Sequence, residues 1–287
     1  MFENIVVPLD GTPLSEQALR PAVSLGREEG SHLHLTTVLK PSSVNLEPSM
    51  GLLDEDYLET VAGRVREAGV SDVSTQRLTG DKVASALEGH RKEVGAGLTV
   101  MCTHGRGAVE RAWLGSVADG LIRTSEAPVL LVRAADEGES SNADLGTSVR
   151  FKRVLVALDG SHFSRQSLEA ATHLGGKSAT YVLARVIPGS AEVGVERPEK
   201  ERVLAQAKLD LEVKSFASGG YTVDSVTQIG PSVAQGILDL AESQGADVIA
   251  IATHGRAGVS RLILGSVADK VIRGADLPVL VVRPREP

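Results

Sequence analysis

The sequence of 287 residues is poor in aromatic side chains, in cysteine and in long apolar runs. Aromatic residues make up only 3% of the chain, which leaves few side chains that could stack on the bases of a nucleic acid. The single cysteine, Cys102, excludes a disulfide within the chain and any metal site that needs several cysteines. No apolar stretch reaches the roughly 18–20 residues that a membrane-spanning helix requires.

Basic residues are also outnumbered, because 30 lysines and arginines stand against 37 aspartates and glutamates, a net charge of −7. Together with the absence of a basic run, this balance argues against a nucleic-acid partner and against an anionic membrane surface. The start of the chain, MFENIVVPLDG, lacks the basic segment and long apolar core of a signal peptide, so we expect a cytoplasmic location. A hydrophobic content of 42% with 23% charged residues is typical of a soluble globular protein.

What the sequence does contain is an internal repeat. Residues 103–133 read THGRGAVERAWLGSVADGLIRTSEAPVLLVR, and residues 253–283 read THGRAGVSRLILGSVADKVIRGADLPVLVVR, with 19 of 31 positions identical. Each copy follows one strand-like apolar run and ends in another. The pattern therefore predicts strand, glycine-flanked loop, helix and strand, once in each half of the chain.

The same succession of elements extends over both halves. Short apolar runs without alternation, such as residues 4–9, are typical of parallel strands that are covered on both faces. They alternate with amphipathic segments such as residues 15–29, for which Ser15 is the predicted N-cap, and the matching helix of the second half is predicted to begin near Ser164. We predict two tandem α/β domains, each a doubly wound, Rossmann-like, five-stranded parallel sheet. Their predicted bounds are 1–135 and 151–287, and the polar segment 136–150 is the predicted linker.

Three segments of each half are expected at the carboxyl edge of the sheet, where ligands bind in such folds. In the first half they are the turn Asp10–Thr12, the end of the second strand near Val38, and the loop that enters a helix at Gly115-Ser116. Glycines there permit a positive φ or a close backbone approach, and the free amides of a helix N-terminus favour an anion such as phosphate. Ordinary turns and a serine N-cap produce the same pattern, and the residues alone leave both interpretations open.

With these motifs, both halves resemble universal stress protein domains nearly from end to end. Family members that bind ATP carry the pattern Gly-x-x-Gly, nine residues, then Gly-Ser/Thr at this loop. In this sequence Gly105 is followed after nine residues by Gly115-Ser116, and Gly255 is followed after nine residues by Gly265-Ser266. The resemblance implies that phosphates bind here.

The resemblance also implies contacts with the rest of the nucleotide. An aspartate lies against the ribose, matched by Asp10 and Asp159, and an aliphatic residue lies beside the adenine, matched by Val38 and Val186. The complete set of predicted ATP-binding residues is Pro8, Asp10, Gly11, Thr12, Val38, Cys102, His104, Gly105, Arg106, Gly115, Ser116 and Val117 in the first half, and Ala157, Asp159, Gly160, Ser161, Val186, Ala252, His254, Gly255, Arg256, Gly265, Ser266 and Val267 in the second.

One position departs from the family pattern, because Cys102 and Ala252 replace its first glycine. A backbone amide remains at each position, but a required positive φ would strain either residue by roughly 1 kcal/mol or more. Since cysteine is bulkier than alanine and would crowd the phosphates more, we expect the second site to bind better than the first. A buried inert thiol and a redox sensor are both open interpretations of Cys102.

The loop also carries histidines and arginines whose roles the sequence leaves open. His104 and His254 suit either a structural position near the ligand or a general base, and Arg106 and Arg256 suit either a phosphate contact or an exposed surface. Neither half carries the Lys-Ser/Thr of a Walker A loop or a carboxylate cluster for magnesium, so Mg²⁺ is expected only as a counter-ion of ATP.

These observations predict a stress-response or signalling factor that binds ATP and is not an enzyme. The alternatives are a slow ATPase, with water placed by the aspartates or histidines of the site, and a dimerisation scaffold without nucleotide. The resemblance further implies that the last strands of the two halves, residues 129–132 and 279–282, pair within the chain, and that a homodimer is possible.

Overall fold

The computed structural model describes residues 2–40, 56–103, 114–133, 144–189, 196–253 and 264–285. The chain forms two compact units, Met1–Arg150 and Phe151–Pro287. The described end of the predicted linker packs on the first unit, since Arg27 donates hydrogen bonds to the carbonyl oxygen of Gly146 at 3.2 Å and to the hydroxyl of Ser148 at 3.0 Å. The amide of Val149 likewise donates to the hydroxyl of Ser24 at 2.8 Å.

In each unit short apolar strands alternate with helices. The elements of the first unit are β1 (Asn4–Pro8), α1 (Pro13–Glu16), α2 (Leu19–Glu29), β2 (His32–Leu39), α3 (Tyr57–Glu67), β3 (Val73–Thr79), α4 (Val83–Glu93), β4 (Leu98–Cys102), α5 (Ser116–Thr124) and β5 (Val129–Val132). Those of the second unit are β6 (Arg153–Ala157), α6 (His162–Gly175), β7 (Thr180–Pro188), α7 (Glu196–Ser218), β8 (Thr222–Gly230), α8 (Val233–Ser243), β9 (Val248–Ala252), α9 (Ser266–Gly274) and β10 (Val279–Val282).

The strand order within each unit is that of a doubly wound sheet. It runs β3-β2-β1-β4-β5 in the first unit and β8-β7-β6-β9-β10 in the second, and the strands are parallel. The chain moves outward from β1 to β3 and then returns to the other side of β1, so the order switches between β1 and β4, as it does between β6 and β9. The predicted fold class is confirmed.

One predicted helix is divided in two. The single helix expected over residues 15–29 is wrong, because α1 ends at Glu16 and α2 begins only at Leu19. Pro21 has no amide hydrogen to donate to the carbonyl four residues earlier, and its ring crowds that carbonyl, which falls at the break. In the second unit Ala170 occupies the matching position, and α6 is continuous from His162 to Gly175.

The two units differ in the side chains that α4 and its counterpart α8 carry. In the first unit, Arg91 on α4 donates two hydrogen bonds of 2.8 Å to the carboxylate of Glu88, and both side chains are buried. At the corresponding positions of α8 stand Leu238 and Ala241. The same fold therefore accommodates either a buried ion pair or an apolar contact at this place.

A group of three histidines is also confined to the first unit. The rings of His32 and His34 on β2 stack with centroids 4.1 Å apart, and His90 on α4 meets His34 edge-on at 6.1 Å. The hydroxyl of Ser74 lies 2.9 Å from a ring nitrogen of both His32 and His34. In the second unit these three histidines are replaced by Thr180, Val182 and Leu240.

The core of both units is aliphatic, as the shortage of aromatic residues predicts. Ile5, Val6 and Val7 on β1 are fully buried, as are Val154, Leu155 and Val156 on β6. Among the described helices, none combines the length and the apolar character that crossing a bilayer demands.

Candidate functional site

The first segment of the candidate site is a tight turn after β1, and it is repeated after β6. Asp10 Oδ1 accepts hydrogen bonds from the amide of Thr12 at 3.0 Å and from its hydroxyl at 2.5 Å. Gly11 between them has φ 80°, in the left-handed region that favours glycine. Asp159 Oδ1 accepts in the same way from the amide of Ser161 at 2.8 Å. Each aspartate therefore stabilises its own turn and cannot be replaced without disturbing it.

The helix after this turn is capped by the turn itself. Thr12 Oγ1 accepts a hydrogen bond from the amide of Ser15 at 3.2 Å, and Ser161 Oγ accepts from the amide of Ser164 at 3.1 Å. The prediction that Ser15 is the N-cap is therefore wrong, and the helix of the second unit begins at His162, two residues before Ser164. Ser15 Oγ instead donates to the carbonyl oxygen of Thr12 at 2.8 Å and accepts from the amide of Asp10 at 3.3 Å. These bonds join strand, turn and helix into one rigid corner.

The second segment is the end of β2 or β7, which lies beside that corner. Pro8, the last residue of β1, pairs in register with Thr36, two residues before Val38. Val38 is half-buried, whereas Val186 is only 7% exposed. A Cβ added to Gly236 of α8 would lie 2.8 Å from Val186 Cγ1, so Val186 packs closely against the backbone of that helix. The aliphatic residue is thus more open in the first unit than in the second.

The third segment begins at Cys102 and Ala252, which end β4 and β9. They pair with Val132 and Val282 as extended strand residues, and both side chains are buried. An extended residue carries a Cβ without backbone strain, so neither replacement of the family's first glycine requires a positive φ. The concern about strain at this position does not apply to this chain.

Glycine is required a few residues later for a different reason. Gly115 and Gly265 have φ −66° and −62°, and each donates its amide to the carbonyl oxygen of Thr103 or Thr253, at 2.8 and 2.9 Å. A Cβ at Gly115 would lie 3.1 Å from the Thr103 oxygen, and one at Gly265 would overlap the Thr253 oxygen. The prediction of a possible positive φ is wrong for Gly115, and the prediction of close backbone approach is confirmed.

The helices that follow these glycines have open N-termini. Gly115 and Gly265 are the N-caps of α5 and α9, and no side chain of the described residues caps either helix. Ser116 and Ser266 are therefore first helical residues rather than N-caps, and both are exposed. The first amides of a helix point along its axis and carry a partial positive charge, which is the arrangement that attracts phosphate.

Strand register brings the three segments to one edge. Ile5 and Val6 of β1 pair with Leu98 and Thr99 of β4, and continuing this register places Leu9 beside Cys102. The Asp10 turn thus lies across the strand-order switch from Cys102, where the predicted phosphate-binding loop begins, and doubly wound sheets bind ligands at this switch. The rest of the predicted loop set lies outside the described residues: His104, Gly105, Arg106, His254, Gly255 and Arg256.

A polar group beside the first site was not found by sequence reasoning. Glu16 accepts hydrogen bonds from Tyr57 Oη at 3.1 Å and from Arg64 Nη1 at 2.6 Å, and it lies one residue after Ser15 of the corner. Burial, followed by the negative charges of Glu16 and Asp10, raises the pKa of the Tyr57 phenol, so it stays protonated. The only indication in the sequence is that tyrosine is rare in this chain, so each of the three tyrosines is a candidate for a specific contact.

The second site carries the opposite charge at the corresponding place. Arg165 occupies the position of Glu16 and pairs with Glu212 of α7 at 2.9 Å. The side chain at this place is thus acidic in the first unit and basic in the second, and each forms an ion pair, Glu16 with Arg64 and Arg165 with Glu212. Among the described residues, no group of three or more histidine, cysteine or acidic side chains is placed to hold a metal ion.

Comparisons with known proteins agree with this geometry. A universal stress protein of Mycobacterium tuberculosis is 27% identical over 191 residues, which are 66% of this chain and 62% of that protein, less than two thirds of its length. One of Mycolicibacterium smegmatis is 25% identical over 301 residues, covering 98% of this chain and 97% of that protein. The crystal structure of a universal stress protein from Archaeoglobus fulgidus has the same fold, with a TM-score of 0.70 at 21% identity over 99% of this chain and 97% of that one.

The family model covers both halves separately. The model of the universal stress protein family matches residues 1–133 and again residues 150–283. Since the two matches include both corners, both glycine-capped helices and nearly the whole chain, this protein belongs to the universal stress protein family and carries two copies of its domain in tandem.

Proposed function

We propose that the chain is an ATP-binding stress-response or signalling factor, with one nucleotide site at the carboxyl edge of each sheet and little or no turnover. The observation that carries the proposal is the uncapped N-terminus of α5 and α9, drawn close to the end of the preceding strand by a glycine that leaves no room for a side chain. A phosphate satisfies the free amides of such a helix end.

The remaining contacts follow from the same edge. The aspartate of each corner suits a ribose hydroxyl, and the half-buried Val38 offers an apolar surface to the adenine, whereas the buried Val186 offers less. Magnesium would enter only with the nucleotide, as the counter-ion of its phosphates. The second site is proposed to bind more tightly, because Ala252 is smaller than Cys102 and crowds the phosphates less.

The proposal is tested best by a substitution that favours the fold and disfavours the ligand. A carboxylate at the first position of a helix interacts favourably with the helix dipole, by about 0.3–1 kcal/mol, yet it repels phosphate. Ser116→Glu and Ser266→Glu should therefore keep or raise the melting temperature while each abolishes ATP binding at its own site. Ser116→Gln and Ser266→Gln are the matched neutral controls.

Isothermal titration calorimetry with ATP should give two sites in the unchanged protein and one in each glutamate variant. The weaker site should remain in Ser266→Glu. Equal binding by the glutamate and glutamine variants would contradict phosphate recognition at these helices. If the unchanged protein shows no heat with millimolar ATP, the nucleotide-free scaffold is the better description.

Measuring ATP turnover, rather than ATP binding, distinguishes a slow ATPase from the proposed binding protein. Protein incubated with Mg-ATP should release phosphate no faster than its Ser116→Glu, Ser266→Glu double variant. A faster release that also disappears in His254→Ala would establish the enzyme instead. The pairing of the last strands of the two halves stays a prediction from the family resemblance.

A further inference from the structure

We propose that one face of α7 is a docking surface for an acidic amphipathic helix of another protein. The large hydrophobic residues that stand out as exposed among the described residues are Val203, Leu204 and Leu211, at 54%, 64% and 66%. All three lie on α7, and Leu204 and Leu211, seven residues apart, lie on the same face of that helix. Single exposed leucines are ordinary, but a cluster on one helix face marks an interaction site.

The fold does not need this face to be apolar. The opposite side of α7 is already packed, since Ala205 and Leu209 are buried and Gln206 hydrogen-bonds to Ser225 and Thr227 of β8. These contacts hold the helix on its sheet. The exposed leucines add nothing to these contacts and leave apolar area in water. The stability of the fold therefore does not explain why leucines stand at these positions.

The first unit provides a direct comparison. Helices α3 and α7 end in the same way, with hydrogen bonds from Gly69 to Arg66 and from Gly220 to Ala217. Counted back from the last residue of each helix, Thr60 of α3 stands where Leu211 stands on α7. The same position of the same fold thus accepts a polar residue, so the fold of the domain does not require the exposed leucine.

The charges beside the leucines indicate what would cover them. Helical spacing places the exposed Lys208 and Lys214 along the same face as Leu204 and Leu211, because each lysine follows one of the leucines by three or four residues. This basic and apolar strip, formed by these four residues, is the α7 face. A protein with a net charge of −7 here presents positive charge beside exposed apolar surface.

Three of the four carboxylates described on α7 pair with arginines rather than with the lysines of the α7 face. Glu199 pairs with Arg202 at 2.5 Å, Glu201 with Arg185 at 3.8 Å and Glu212 with Arg165 at 2.9 Å. Asp210 keeps its charge, since its hydrogen bond of 2.8 Å comes from the neutral amide of Gln206. The positive charge of the face is therefore available to an outside partner. A second copy of the α7 face would present the same two lysines, so an acidic partner is favoured over a copy of this chain.

The complementary ligand is a helix with leucines on one side and glutamates beside them. Its apolar side would cover Leu204 and Leu211, while its carboxylates meet the lysines at the rim, where such pairs set orientation and association rate. A bilayer is less suitable, since charged and polar residues separate the exposed apolar side chains of α7, whereas membrane-bound helices bury a broad apolar face.

Fluorescence anisotropy with the full chain tests this. The probe is a labelled synthetic helical peptide of about 20 residues, with leucines at helical spacing and glutamates between them. We expect saturable binding that weakens as salt rises, at least about tenfold weaker binding to the Leu204→Glu, Leu211→Glu double variant, and partial loss with Leu211→Thr. The same peptide with lysine in place of glutamate is the charge control, and Thr60→Glu on α3 is the matched surface control.

The double variant should keep the circular dichroism spectrum and the ATP affinity of the unchanged protein, which separates loss of docking from loss of fold. Equal binding of the acidic and basic peptides, or unchanged binding by the double variant, would overturn the proposal. So would binding only to vesicles rich in phosphatidylserine, which assigns the face to a membrane. Self-association in sedimentation that the double variant abolishes would assign it to a second copy.

Discussion

Lowering the pH from 7 to 5 tests the histidine group of the first unit, because the fold keeps His34 neutral there. Burial is the main cause, and the neighbouring His32 and His90 add to it; together they lower the pKa of His34 from 6.5 to about 4. Asp72 acts in the opposite direction but more weakly. Besides these groups, Asn4 and Ser74 hydrogen-bond to the His34 ring, and Glu93 lies 3.8 Å from His90.

The sign of the effect follows from proton linkage. The folded state binds the proton less tightly than the unfolded state, so stability is complete above pH 6.5 and is lost as the pH falls towards 4. A shift of one pKa unit corresponds to about 1.4 kcal/mol, and the loss reaches about 2 kcal/mol at pH 5 and about 3 kcal/mol at pH 4. The second unit has Val182 at this position and should not share the loss.

Hydrogen exchange followed by mass spectrometry resolves the two units within the intact chain. After correction for intrinsic exchange rates, peptides from β1 and β2 should lose protection steeply between pH 7 and pH 5, while those from β6 and β7 should change little. His34→Val, which copies the residue of the second unit, costs two hydrogen bonds at pH 7 but should flatten the pH dependence of the first unit.

Equal slopes in the two units would refute this reasoning, since the second unit lacks the histidine group. An unchanged slope in His34→Val would refute it as well, because the titrating ring would then be elsewhere. A steep slope confined to the first unit and removed by the valine would establish His34 as its acid-sensitive residue.

Three further predictions concern the frame of the fold, and equilibrium denaturation measures all of them. Gly265→Ala should destabilise the protein more than Gly115→Ala, because the added methyl group overlaps a carbonyl oxygen in the second unit and only touches one in the first. Glu88→Leu alone should cost about 3–5 kcal/mol by leaving Arg91 buried and unpaired, whereas Glu88→Leu with Arg91→Ala, which copies the second unit, should be close to neutral; a double variant as unstable as the single one would contradict this. Thr12→Ala should cost about 1 kcal/mol through loss of the helix cap, and Thr12→Ser should restore it.

Most of the architecture could be predicted from the sequence because it depends on periodicity and repetition. Uninterrupted apolar runs such as Ile5–Val7 indicate buried parallel strands whatever their exact neighbours are, and the repeat at residues 103–133 and 253–283 fixes two domains. The corner turns could be predicted equally well, since Asp-Gly followed by threonine or serine has a local hydrogen-bonding pattern of its own.

What could not be predicted depends on competition between nearby groups. Thr12 and Ser15 are both good N-caps, and only the path of the chain after Gly11 decides that Thr12 takes the role. The break before α2 follows from Pro21, but the apolar stripe on both sides of it favoured one helix. The partners of Glu16 come from α3, more than forty residues away along the chain, and no local sequence pattern predicts a contact between residues so far apart.

The two sites share the same backbone elements and differ in the side chains around them. The corner, the strand-end residue and the glycine-capped helix are the same in both. The side chain beside the corner is Glu16, paired with Arg64, in the first unit and Arg165, paired with Glu212, in the second, and the aliphatic residue is half-buried at Val38 and buried at Val186. A ligand held only by the shared elements would bind both sites equally. Under the proposed function, the difference between Val38 and Val186 alters the apolar surface offered to the adenine, so we expect the two sites to differ in their affinity for one nucleotide.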